Sequence, residues 1–278
     1  MNALTGEIRP ARPTLVPPGR RARLGPGAPA RHGHLLGPGL LLLYWTVLSV
    51  TGWLDPRILP APWTAITTGA ALVHEGRLQT NLAVSAGRAA SGLLVGGTAG
   101  VLFAFLSGLS LLGGYVIDGI VQLKRGIPIL AIIPFMVLWF GIGEPMKIAV
   151  IGVAAFFPIY IQTHSALRAI DLRYVELAET LGLSRWQFLR RIVIPGALPG
   201  FLLGLRFGAT AAWLALVVVE QLNATSGIGY MVTLARNYAQ TDVMLVGLVV
   251  YALLGFGTDS AIRWGERRLL TWRRTLGR

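Results

Sequence analysis

Residues 176–195 read ELAETLGLSRWQFLRRIVIP, a polar, arginine-bearing stretch inside a chain that is otherwise lipid-soluble. Glu176 and Ala178 open it, Gly182 follows after three intervening residues, and Ile192-Val193-Ile194-Pro195 closes it after nine more. The stretch 174–181 is predicted as a short helix, Gly182-Leu183-Ser184 as a break with Ser184 as N-cap, and 185–194 as a second helix stopped before Pro195 and Pro199. Ala178 permits close approach, Leu177, Leu181 and Leu183 offer apolar knobs, and Arg185, Arg190 and Arg191 suit lipid phosphates or acidic partner residues. The whole reads as a docking surface, with an interfacial amphipathic hairpin as the plainer alternative.

Around this island the chain is apolar: 54% of residues are hydrophobic and 13% charged, and the apolar ones gather in runs near the length that crosses a bilayer. The expected fold is all-α, a polytopic bundle of about six transmembrane helices near 35–53, 86–106, 127–143, 146–165, 199–219 and 243–260. An even number of crossings puts both termini on one side.

Lys and Arg collect in short cytoplasmic loops. The tail before residue 35 holds Arg9, Arg12, Arg20, Arg21, Arg23 and Arg31, and the end of the chain holds Arg263, Arg267, Arg268, Arg273, Arg274 and Arg278. Arg168, Arg173, Arg185, Arg190 and Arg191 surround the polar island, whereas 54–83 has only Arg57 and Arg77, and 220–242 only Arg236. Both tails and the island are therefore expected in the cytoplasm. This orientation accounts for most of the net charge of +13, and no nucleic-acid-binding motif accompanies it.

The chain has no cysteine, which removes disulfides and thiol chemistry. Residues 1–34, rich in Pro, Gly and Arg, are expected to be a disordered tail. Its arginines ahead of an apolar run also resemble a signal peptide, but the run is long and lacks a clear small-x-small cleavage site, so a retained first span is favoured.

Gly92, Gly96, Gly100, Ala104 and Gly108 recur every four residues, as do Gly200, Gly204, Gly208 and Ala212. That period lays them along one helix face where another helix approaches closely, either as static packing or as a surface that slides during function. Pro128, Pro134, Pro145, Pro158 and Pro199 lie in or beside spans, where a missing donor is tolerated if neighbours reach the freed carbonyl.

Ionisable groups near the bilayer centre cost about 2.5–3.5 kcal/mol on insertion scales, so each needs a reason. Arg206, two turns into the fifth expected span, either snorkels to the headgroups or faces an anion pathway. Arg88 and Arg125 lie near expected span ends, where interfacial anchoring is their reading. Glu220, Gln221 and Asn223, with Thr225, Ser226 and the flexible Gly227-Ile228-Gly229, either line an outer gate or form a solvated loop. His32, His34, His74 and His164 are scattered. The sequence has no GxxxxGK[ST], HExxH or GxSxG, so it lacks the carriers of ATP hydrolysis, zinc proteolysis and serine chemistry. Transport driven by ATP needs another chain to hydrolyse it. An integral-membrane enzyme is disfavoured by these missing sets, and a passive channel or scaffold by the dedicated loop.

The spacing at 176–195 resembles the coupling loop of bacterial ATP-driven importers, Glu-Ala-Ala, three residues, Gly, nine residues, Ile-x-Leu-Pro, with Leu177 in place of the middle Ala and Ile194 in place of Leu. From about 78 to 270 the chain resembles the transmembrane permease subunit of a binding-protein-dependent ABC importer. The narrower likeness is to aliphatic sulfonate, taurine and nitrate permeases, through RGIPILAIIPFMVLWFGIGEPMK at 125–147, EQLNATSGIGYM at 220–231 and TDVMLVGLVVYALLG at 241–255. The resemblance implies the type I ABC importer permease fold in the bacterial cytoplasmic membrane, with a permease core at 83–265 that includes the coupling loop at 174–195. A first span and external segment at 35–82 precede the core, and a basic tail at 266–278 follows it. It implies a second permease copy, two cytoplasmic ATPases holding ATP and Mg²⁺, and an external substrate-binding protein, with no cofactor in this chain and no nucleic-acid partner. Glu176, Ala178, Gly182, Ile192 and Pro195 are carried over as the ATPase-coupling surface. Arg206, Glu220, Gln221 and Asn223 are the candidates for the substrate path. The expected cargo is a small organic anion, foremost an aliphatic sulfonate, with taurine, nitrate or a pyrimidine vitamin precursor as alternatives.

Overall fold

The computed structural model describes residues 33–272, so the expected tail at 1–34 lies outside the described residues except for its last two. Among the described residues ten helical segments follow in chain order: α1 Gly33–Val50, α2 Pro62–His74, α3 Arg77–Gly108, α4 Leu111–Lys124, α5 Ile129–Phe140, α6 Glu144–Arg168, α7 Arg173–Thr180, α8 Arg185–Asn223, α9 Ile228–Asn237 and α10 Thr241–Leu269.

Four of them, α3, α6, α8 and α10, are long and apolar enough to cross a membrane, and a fifth crossing results if the bent pair α4–α5 is one span. At 1.5 Å per residue, α3 with its 32 residues extends about 48 Å, well beyond the hydrocarbon thickness of about 30 Å. The expected span at 127–143 is corrected: α5 has only 12 residues and bends 107° from α4. Gly126, Pro128 and Gly141 break the regular helix around it, because Pro128 disfavours helical backbone in the residue before it and Gly141 turns at φ +71°. In α1 the apolar stretch Leu36–Val50 is shorter than the four candidate spans.

Both glycine stripes converge on one helix. α6 is the most enclosed of the four long helices, and α3 and α8 pack along its two sides. A Cβ at Gly96 would overlap the Gly152 carbonyl of α6, and one at Gly204 would press on the Ile159 backbone at 3.0 Å. Glycine is thus required by the approach of two backbones, which replaces lipid contacts with denser dispersion contacts. The core that results holds Met146, Val150, Ile151, Ala155 and Ile159 of α6 with Ala89 of α3 and Ala212, Ala215, Leu216 and Val219 of α8.

α8 runs unbroken through Pro195 and Pro199, which corrects the expected stop before them. A wide π turn at Leu189–Val193 precedes Pro195, and the widened turn makes room for a proline ring that would otherwise crowd the preceding carbonyls. α2 and α9 are short helices outside the expected spans. α9 packs against α10 and α8 through Ile228, Met231, Val232 and Ala235.

Candidate functional site

The loop between α6 and α8 has a defined local geometry. α7 ends in a Schellman turn, with Leu183 N–H donating to the Ala178 carbonyl at 2.9 Å and Gly182 N–H to the Glu179 carbonyl at 3.0 Å. Gly182 supplies the left-handed residue at φ +63°, a conformation that a side chain disfavours. Ser184 then caps α8 with a full capping box: its Oγ accepts from Gln187 N–H, and Gln187 Oε1 accepts from Ser184 N–H. Two rigid turns therefore set the angle between α7 and α8.

The loop is tied to the bundle from beneath. Leu167 of α6 packs with Val193 and Ala197 of α8, flanked by Phe105, Ile170, Phe188 and Leu189. Ala178 is buried, while Glu176, Leu177, Leu181, Gly182, Arg185, Trp186, Arg190 and Arg191 are exposed. With Leu172 and Tyr174 also exposed, the outer face combines large apolar side chains with arginines. Ile192 and Pro195 are half-buried and turn inward, lining a cleft of about 920 Å³ with Gln162 and Ser165 of α6, Arg191, Pro199 and Gly200 of α8, and Trp272. Leu183, expected among the knobs, is half-buried.

At the opposite end of α6 lies a charged knot. Arg88 of α3 places Nη1 2.8 Å from Glu220 Oε1 of α8 and 2.6 Å from the Ser226 carbonyl. Its Nε donates to Glu144 Oε2 at 2.7 Å and its Nη2 to Glu144 Oε1, a bidentate guanidinium–carboxylate pair. Lys147 Nζ joins Glu144 Oε1 at 2.9 Å. Glu220 also accepts from Ser85 Oγ at 2.8 Å, Gly229 N–H at 2.9 Å and Tyr251 Oη at 3.2 Å. Ser85 Oγ and Asn81 Oδ1 take the N–H groups of Ile228 and Gly227, each at 2.8 Å. The buried carboxylate is thus satisfied on every side and fixes the start of α9.

Two expectations are corrected here. Arg88 is not an interfacial anchor: it is buried at 5% exposure because two carboxylates neutralise it between helices. Arg206 neither snorkels freely nor stands as an open cation, since its Nε donates to Asp259 Oδ1 of α10 at 2.9 Å, and Asp259 in turn pairs with Arg263 at 3.0 Å. Of the expected 220–226 cluster, Glu220 and Ser226 enter the knot, while Gln221 is exposed and Asn223 half-exposed. Sequence reasoning passed over Ser85, Glu144, Lys147 and Tyr251. Their one signal is a pair of charges, Glu144 and Lys147, beside apolar residues at 125–153.

His164 lies 3.9 Å from Asp118 and stacks on Tyr160. Among the described residues no cluster of three or more His, Asp or Glu side chains is placed to hold a metal ion.

The family described as "Binding-protein-dependent transport system inner membrane component" matches residues 94–271. Putative aliphatic sulfonates transport permease proteins SsuC are 38% identical in Bacillus subtilis strain 168 (87% of this chain, 89% of that protein) and 41% in Escherichia coli K12 (84% and 88%). The taurine transport system permease protein TauC of Escherichia coli K12 is 35% identical over 84% of this chain and 86% of its own length. The fold matches a chain of a crystallised amino acid ABC transporter with TM-score 0.59 at 15% identity, over 72% of this chain and 97% of that one. The chain belongs to the binding-protein-dependent transport system inner membrane components and is the permease subunit of an ABC importer.

Proposed function

We propose that this permease carries a small organic anion, foremost an aliphatic sulfonate, across the cytoplasmic membrane, driven by ATP hydrolysed on partner subunits. The observation that carries the mechanism is the loop at 173–195: a stiff, exposed, apolar and basic face joined to the bundle core through Leu167, Val193 and Ala197. Such a surface transmits displacement because neither of its two turns is slack.

In this reading α1, α3, the α4–α5 pair, α6, α8 and α10 make six crossings, with both termini and the loop in the cytoplasm, as the distribution of arginines supports. Two copies of the permease core, 83–265, stand side by side. Each seats the loop that carries Glu176, Ala178, Gly182, Ile192 and Pro195 against one ATPase, with Glu176 and Gly182 on the exposed face and Ala178, Ile192 and Pro195 behind it, and an external binding protein delivers the cargo. Switching a two-state population from 1:99 to 99:1 takes about 5.5 kcal/mol of differential binding, which the loop must convey.

The cargo reading rests on the two relatives named for aliphatic sulfonates, and the one named for taurine, itself an aminosulfonate, supports a second reading within the same chemical class. The test is a ligand screen by calorimetry on the partner binding protein. Alkanesulfonates or taurine are expected to bind, and silence from every sulfonate rejects the assignment.

A further inference from the structure

In the charged knot the two carboxylates differ in one respect. Glu220 has a fully buried side chain and four donors, so it is a fixed counter-ion. The Glu144 side chain is 52% exposed, yet the two cations it holds, Arg88 and Lys147, are each only 4% exposed. An exposed carboxylate therefore covers two buried cations. Glu144 is also the first residue of α6, a 25-residue helix whose N-terminus favours negative charge. It follows Gly141-Ile142-Gly143, where Gly141 adopts φ +71° with open space around it and no side chain at 141 or 143 restrains the backbone.

Arg88 and Lys147 against Glu144 and Glu220 sum to zero. With Glu144 swung out the knot carries one uncompensated positive charge between helices, a state that strongly favours another anion. The seat that Glu144 vacates has a shape: Nε and Nη2 of Arg88 side by side, which suit two oxygens of one planar or tetrahedral oxyanion, and Lys147 Nζ, which converges on the oxygen that Nη2 holds. We propose that Arg88, Lys147 and the N-terminus of α6 form an oxyanion site that Glu144 fills with its own carboxylate, and that a sulfonate group takes its place when Glu144 swings aside. The inference rests on the anionic-cargo reading and adds to it a residue-level station at the end of the bundle opposite the 176–195 loop.

The test uses the full chain purified in nonionic detergent, without ATPase or binding protein, titrated with methanesulfonate against chloride at matched ionic strength. Wild-type protein, already self-occupied, is expected to bind weakly. Glu144→Gln, which keeps an acceptor but loses the charge, is expected to bind at least about tenfold more tightly, a difference of about 1.4 kcal/mol. Adding Lys147→Gln should abolish that gain, and dimethyl sulfone, which is neutral, should do nothing. Glu144→Ala serves the same purpose if the Gln variant does not fold. Equal affinities in wild type and both Glu144 variants, or a gain that survives Lys147→Gln, overturn the site. Stabilisation of Glu144→Gln by phosphatidylglycerol but not by methanesulfonate overturns the cargo version and assigns the seat to a lipid phosphate. Uptake by cells bearing the wild-type transporter separates the two claims. Sulfonate uptake with a flat titration sinks the site alone, and a responsive titration without sulfonate uptake sinks the cargo reading.

Discussion

Arg88 on α3 and Glu220 on α8, 132 positions apart, meet at 2.8 Å with side chains 4% and 0% exposed. Neither helix makes that pair alone, because the glycine stripes first bring α3 and α8 against α6 and so define the distance between them. The pair in turn fixes α9, since the same Glu220 carboxylate receives the Gly229 N–H.

Removing one member of this pair leaves a buried charge short of its partner. Arg88→Met is expected to destabilise the protein by about 3–5 kcal/mol, read as a large fall in the thermal unfolding midpoint in detergent. The double variant Arg88→Met/Glu220→Met should be less damaged than the sum of the two single variants, and strict additivity would contradict a direct pairing.

The two faces of α3 predict opposite responses to one added methyl. Gly96→Ala drives a Cβ into the Gly152 carbonyl and should destabilise by about 1–3 kcal/mol. Gly87→Ala meets nothing within 4 Å and should be neutral or stabilising by up to about 1 kcal/mol. Thermal unfolding of the two variants side by side checks the stripe.

Leu177 and Trp186 are 51% and 65% exposed, so polar substitutions there leave the fold within about 0.5 kcal/mol of the parent. Leu177→Glu and Trp186→Glu are expected to weaken recovery of the ATPase in pull-downs while membrane insertion and melting stay unchanged. Full recovery of the ATPase by both would remove the apolar face from the interface.

Arg206 and Asp259 form a half-buried pair, and a coupling energy of about 0.5–3 kcal/mol is expected between them in a double-mutant cycle. Substituting Arg206 should lower stability and leave the apparent KM for uptake unchanged. A selective rise in KM would instead put Arg206 on the substrate path.

The four long helices are legible in the sequence because their apolar runs approach membrane length, and the stripes because Gly92 to Gly108 and Gly200 to Ala212 hold period four. Segment 77–85 is polar and falls outside the expected span at 86–106, yet it is helical because it continues α3, which is packed on α6, and the helix expected at 185–194 continues through Pro195 and Pro199 because α8 is packed there too. The turn at Gly182 and the cap at Ser184 are legible because their partners lie within five residues. Arg88 is not legible, since its partners stand 56 and 132 positions away and a lone arginine near a span end looks the same whether it meets lipid or carboxylate. The bend between α4 and α5 is half legible: Gly126 and Pro128 mark a break in the helix, but neither residue records how far the chain turns there, 107°.

In the proposed mechanism the loop at 173–195 conveys work between ATP and the helix bundle. Its most direct test is Gly182→Asp, which adds a charge on the exposed turn at a φ that Asp tolerates better than most residues, so the fold survives. ATP hydrolysis and substrate uptake are to be measured together in the assembled transporter in proteoliposomes. Normal insertion with uptake lost per ATP hydrolysed is expected, and uptake at the parent ratio would show that the loop does not couple the two.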